Sequence, residues 1–188
     1  GGTMIVKNTS TVQTVGMRVA TEGNVAAVSV EGVLEVASFF TVADSLTGVG
    51  AGGTGMLSVD NGGTVRLGPG ARLTVGWVNA IGTLNVNHGG LLEIGGTNGL
   101  QKHATATTSV NLAGGTIRVT NSDLTSSVPM TLSGNSTIDT NSLNATLSGT
   151  LSGSGGLFKT GAGTLTLAGN NSFMGTRAPF GGVTAVSQ

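Results

Sequence analysis

The chain has 188 residues, no net charge at neutral pH, 9% charged residues, 34 glycines and no cysteine. Sparse, balanced charge offers no basic patch to neutralise phosphates, which speaks against nucleic acid as a partner, and no apolar run reaches the ~18–20 residues of a membrane-crossing helix, so no direct membrane insertion of this segment is expected. Without cysteine there are no thiolate metal sites or disulfides, and composition leaves the redox compartment open. Glycine is more than twice its usual ~7%, yet without a Gly-X-Y period, which excludes collagen. Leu, Ile, Val and Phe make up about a quarter of the chain, above the ~20% below which chains stay disordered. Val, Leu and Thr dominate, with one Trp, five Phe and no Tyr. No window of a dozen residues escapes Gly, Pro or dense Ser/Thr/Asn, so the composition reads as all-β.

In chain order, residues 1–31 follow the later pattern least well and read as a less regular N-terminal part of one 1–188 unit. The opening GGTMIV reads as an internal start, so the chain is taken as a segment of something longer. From Gly32 a Gly-x-apolar-x-apolar element recurs: GVLEV at Gly32, GTVRL at Gly63, GLLEI at Gly90, GTIRV at Gly115 and GTLTL at Gly163. The last gap is long enough for two further turns. GMLSVDNGGTVRL, positions 55–67, aligns with GTLNVNHGGLLEI, positions 82–94. Within this stretch the pairs Leu57/Val59, Val65/Leu67 and Leu73/Val75 each mark a short strand with two inward side chains. DNGG, GPGAR and NHGG between them are turn chemistry. A hairpin meander has no such long period. Three strands per repeat near 25 residues predict a coil that returns above itself, a parallel β-helix of about seven coils.

Candidate chemistry is thin. Of the carboxylates, Glu35 and Glu93 are the best hydrolase pair because both follow the same element, but Arg66 and Arg118 take the equivalent places in neighbouring repeats. The column Glu35, Arg66, Glu93, Arg118 alternates in sign and reads as a cross-strand ion ladder. His88 and His103 are isolated and read as turn and loop residues; no metal or other cofactor is expected. A regular Thr array fails because Leu91 interrupts Thr64 and Thr116 at the aligned position. Phe39, Phe40 and Trp77 lie where the spacing stretches and are the candidate ligand patch, on loops at 39–46 and 77–81.

The most specific signal comes late, in LSGTLSGSGGLFKTGAGTLTLAGNNSFMGT, residues 147–176. Its marked positions are Gly155, Gly156, Leu157, Lys159, Gly161, Gly163, Thr164, Leu165, Leu167, Gly169, Asn171, Phe173, Gly175 and Thr176. This segment resembles the autotransporter-associated β-strand repeat, also called the passenger-associated transport repeat, of type V secretion passenger domains. The pattern departs just beyond, where Pro179 and Phe180 precede Gly181-Gly182-Val183, so the final strand is expected to be distorted or to end the ordered region.

The resemblance implies a right-handed parallel β-helix, exported across the outer membrane to the cell surface or the medium. It implies as partner a C-terminal translocator β-barrel elsewhere in the full-length protein. The functional expectation is a non-enzymatic structural stalk that supports secretion-coupled folding, with Lys159 bending or capping an outer corner. Two alternatives stay open: an adhesin module holding a host-surface or glycan ligand through its loops, and a carbohydrate-active β-helix enzyme.

Overall fold

In the computed structural model, residues 1–45, 52–175, 177–179 and 183–186 are described. The first turn carries β1 (Gly2–Val6) and β2 (Thr11–Thr21), and the second β3 (Val25–Val30) and β4 (Val33–Asp44). The third holds β5 (Thr54–Val59), β6 (Thr64–Leu67) and β7 (Arg72–Thr74); the fourth holds β8 (Ile81–Asn87), β9 (Leu91–Gly96) and β10 (Leu100–Gln101). The fifth has β11 (Thr107–Ala113) and β12 (Thr116–Ser126), and the sixth β13 (Met130–Gly134), β14 (Ser136–Asp139) and β15 (Ala145–Leu147). Then come β16 (Leu151–Ser152), β17 (Leu157–Thr160), β18 (Leu165–Leu167), β19 (Arg177–Pro179) and β20 (Val183–Val186). No helix occurs among the described residues.

Among the described residues every strand ladder is parallel, each strand lying on its counterpart one turn away. The first sheet runs β1-β3-β5-β8-β11-β13-β16, and a second, 13-stranded sheet wraps the other two faces. The seven strands of the first sheet stack across six layer spacings, about 29 Å at ~4.8 Å per layer, and β16, β17 and β18 form the seventh turn. The chain is a parallel β-solenoid. Three separate strands per turn appear in the third, fourth, sixth and seventh turns. In the first, second and fifth, the second and third strands fuse into the long β2, β4 and β12, which run through a corner.

The interior follows from strand alternation. Val6, Val30, Val59, Val86, Leu112 and Leu132 are register partners from layer to layer and form one buried column. A second column is Val12, Leu34, Val65, Leu92, Ile117 and Ile138. Each buried aliphatic contributes roughly 1.5–3 kcal/mol, mostly against the layers above and below.

Glycine serves two purposes here. Gly70 sits at φ +74 with open space around it, so only its backbone conformation demands glycine. Gly63 has ordinary φ, but a Cβ there would overlap the Val30 carbonyl oxygen and stand 2.6 Å from the carbonyl carbon. Layers approach too closely at that corner for any side chain.

Two expectations change and a third is met. Residues 1–31 are not irregular: β1 and β3 pair over five residues, and β2 follows β4 along its length with one bulge. Their strands bury Met4, Val12, Met17 and Val19 only partly, since no further layer covers them among the described residues, so the interior pattern is weaker in sequence. Gly163 does not continue the column of Gly32, Gly63, Gly90 and Gly115. Turns there shorten to 21 residues, so Thr116, Thr137 and Phe158 are register partners and Gly163 opens a strand on the third face. Beyond the motif β19 stacks on β17, and β20 lies on β18 with a shifted register, the distortion expected of the final strand. Phe180, Gly181 and Gly182 lie outside the described residues.

Candidate functional site

The ion ladder forms as the repeats predict and is longer. Gln13, Glu35, Arg66, Glu93, Arg118 and Asp139 are register partners on six successive turns, all pointing away from the core. Arg66 bridges Glu93 through Nε at 2.5 Å and Glu35 through Nη1 at 2.6 Å. Arg118 bridges Asp139 through Nε at 2.8 Å and reaches Glu93 through Nη1 at 3.6 Å. Gln13 Nε2 donates to Glu35 Oε2 at 2.6 Å. The Gln13 amide and the Arg66 guanidinium hold the Glu35 carboxyl below its ordinary value. Glu93, then Glu35, raise Arg66, and Asp139 raises Arg118. Gln13 and Asp139 were not legible because neither follows a glycine-marked element. Thr64, Leu91, Thr116 and Thr137 are also register partners, so Leu91 does break that hydroxyl row.

The motif residues build the last turns from inside. Leu157, Leu165, Leu167 and Phe173 are buried, and Gly155 and Gly156 lie at a buried corner. Lys159 corrects an expectation: it does not cap an outer corner but occupies the core column in register with Ile138, 1% exposed. Its long stem fills the aliphatic position. Its Nζ donates to Thr140 Oγ1 at 3.1 Å, the Thr160 carbonyl at 3.2 Å and the Gly161 carbonyl at 2.6 Å, holding the corner from within. All three ammonium protons have acceptors, as burial requires. Gly161 takes φ +79 at that corner. Buried Asn171 stands in for a strand: its Oδ1 accepts from Leu151 N–H at 2.9 Å, and its Nδ2 donates to the Gly169 carbonyl at 2.7 Å. Thr164 N–H donates to Asn144 Oδ1 at 3.0 Å. Gly175 is half-buried at the end of the motif, and Thr176 lies outside the described residues.

The aromatic patch does not assemble as predicted. Phe40 is fully buried, because residues 39–44 belong to strand β4 rather than a loop and Phe40 falls on the inward register. Leu46 lies outside the described residues. Phe39 is exposed with the Arg18 guanidinium over its ring at 5.3 Å, and Arg18 also pairs with Asp44 at 2.9 Å. Trp77 is 41% exposed in the turn between β7 and β8, its ring 5.1 Å from that of His103. Trp77 N–H bonds the Ala43 carbonyl, four residues along the strand from Phe39, so the two residues' backbones are offset by ~13 Å along it. His103 Nδ1 lies 3.0 Å from Thr105 Oγ1, which accepts from Asn79 N–H at 3.1 Å. His88 is exposed in its turn. No group of three metal-ligating side chains comes together among the described residues. No family model, curated protein or solved structure matches the chain.

Proposed function

We propose that the chain is a structural, stalk-forming segment of a bacterial autotransporter passenger domain, secreted or displayed at the cell surface, whose turns fold one upon another during export. The observation that carries this reading is how the described residues of the motif, 147–175, are closed. Lys159 is satisfied partly by Thr140 of the preceding turn, and Asn171 completes Leu151 of the turn before it. A turn of this kind is complete only on a formed neighbour. In a solenoid each repeat touches only its neighbours, so order nucleates at one point and propagates. A passenger leaving the translocator β-barrel of its own full-length protein would gain a layer at a time, each hindering return. The lack of cysteine suits a chain that stays unfolded through an oxidising compartment. The hydrolase alternative rested on Glu35 and Glu93, and Arg66 engages both carboxylates.

The test places the chain between an export signal and a translocator barrel in a Gram-negative host and measures surface display by added protease. The intact chain should appear outside the cell as a protease-resistant product. Leu165→Asp with Leu167→Asp should stall it, whereas Val28→Asp with Val30→Asp, at the far end, should leave display largely intact. Display of the Leu165/Leu167 variant at the unaltered level, or no display of the intact chain, would refute the reading.

A further inference from the structure

The two sheets present opposite surfaces. The second carries the ion ladder, while no strand of the first sheet contains an Asp, Glu, Lys or Arg. Folded surfaces are ordinarily about 25–35% charged, so a bare seven-stranded face is unusual. Four of the eight exposed large hydrophobic residues among the described residues, Ile5, Val25, Met56 and Ile81, stand on this face, and Trp77 stands at its rim in the turn entering β8.

Beside these runs a polar row spaced one layer apart. Ser29, Ser58, Asn85 and Asn111 are successive register partners. Asn111 Nδ2 donates to Asn85 Oδ1 at 2.8 Å, and Asn85 Nδ2 to Ser58 Oγ at 3.3 Å. These bonds fix the amides before any ligand arrives, and an amide has more donor and acceptor sites than they occupy. Charges at the margin are already held: Asp60 accepts from Ser29 Oγ at 2.5 Å and Asn87 Nδ2 at 2.7 Å, and Lys7 pairs with Glu31 at 3.4 Å.

We propose that this face, with Trp77 at its edge, is a docking surface for an uncharged polysaccharide chain lying along the solenoid axis. Absence of charge selects against anionic polymers, whose recognition needs cations. Protein-binding cores are depleted in charge and enriched in Arg, Met and aromatic residues, with Ser and Ala depleted. This face shares the lack of charge and has Met56, but it carries no Arg or aromatic residue on its strands and is otherwise built from Ser29, Ser58, Ser109 and Ala27 with scattered aliphatics. A neutral sugar chain alternates C–H faces with hydroxyl edges. Aliphatic side chains and an amphipathic indole suit the first, and a preordered Ser/Asn row suits the second. The proposal stands apart from the export reading and does not need it.

The test is co-sedimentation of the full chain with insoluble cellulose, curdlan and chitin, with heparin-agarose as the charged control. Retention on at least one neutral polymer is expected. Met56→Glu, Thr83→Glu and Trp77→Ala should each lower the bound fraction at least tenfold, while Thr137→Glu on the other sheet leaves it unchanged. Circular dichroism confirms that each variant remains folded. The proposal is overturned by no retention on any of the three neutral polymers, by retention on heparin alone, or by equal loss with Thr137→Glu. It is also overturned if sedimentation velocity shows a dimer that Met56→Glu splits, because a second copy then covers the face.

Discussion

Replacing Gly63 and Gly70 by alanine separates the two reasons for glycine at the corners. At Gly63 the new Cβ would meet backbone of the preceding turn, 2.6 Å from the Val30 carbonyl carbon, and of its own turn, 3.0 Å from the Asp60 oxygen, and no rotamer relieves a backbone clash. The turn must move away from its neighbour. Two bonds tie it to the neighbouring turns: Leu91 N–H to Gly63 O at 2.9 Å and Thr64 N–H to Gly32 O at 2.7 Å. Opening two buried bonds at about 1–3 kcal/mol each gives a cost near 4 kcal/mol. Gly70 is at φ +74 with nothing within 4 Å of the added atom, so only the left-handed backbone penalty of about 1–2 kcal/mol applies. Urea unfolding followed by circular dichroism measures both. With a slope of ~2.5 kcal/mol per M, Gly63→Ala should lower the midpoint by about 1.6 M and Gly70→Ala by about 0.6 M. If Gly70→Ala costs as much as Gly63→Ala, close approach between layers is not why glycine marks the start of each repeat.

Five other substitutions follow from the site geometry. Phe40→Ala should cost about 3–5 kcal/mol, and Phe39→Ala, one residue away and exposed, under about 1 kcal/mol; the same urea titration decides, and equal costs would place both rings alike. Lys159→Ala removes the stem packing and opens the Gly161 carbonyl, for about 3–5 kcal/mol. Lys159→Met keeps the volume and sheds the buried charge, and should stay within about 1 kcal/mol of the parent; a loss as large as that of alanine would show the ammonium itself to be indispensable. Glu35 has a depressed carboxyl, so its contribution is complete above its ordinary value of 4.5 and lost as pH falls through the lower folded value. Glu35→Gln should therefore flatten the decline of urea midpoints between about pH 5 and about pH 3; an unchanged slope would show that the ladder does not act on this group.

The core pairs of the middle turns were legible because strand alternation and a 25–31-residue return coincide there, which placed Val59 under Val86 without coordinates. The ladder was legible for the same reason: Glu35, Arg66, Glu93 and Arg118 occupy one place in a repeated element. Where that element is missing, the reading failed. Gln13 and Asp139 sit on strands without a leading glycine, and Gly163 was put on the wrong face because the return shortens to 21 residues. Phe39 and Phe40 are adjacent in sequence, and which one points inward is set by the register of β4 on its neighbours. Lys159 defeated the pattern altogether, since hydropathy assigns a lysine outward. Only the carbonyls of a glycine-bent corner, brought to the end of its stem, allow it inside.

Disulfide trapping between introduced cysteines tests the parallel stack most directly, because the chain has none of its own. Met56 faces Thr83 and Ser58 faces Asn85 across neighbouring turns, on the outward side. Partners one layer apart, at ~4.8 Å, fall within bridging range, and residues displaced by two along the strand do not. Under mild oxidation, Met56→Cys with Thr83→Cys and Ser58→Cys with Asn85→Cys should both close, while the crossed pairs Met56→Cys with Asn85→Cys and Ser58→Cys with Thr83→Cys stay reduced. Bridging of the crossed pairs in place of the direct ones would mean that these strands run in opposite directions, and the solenoid would be refuted.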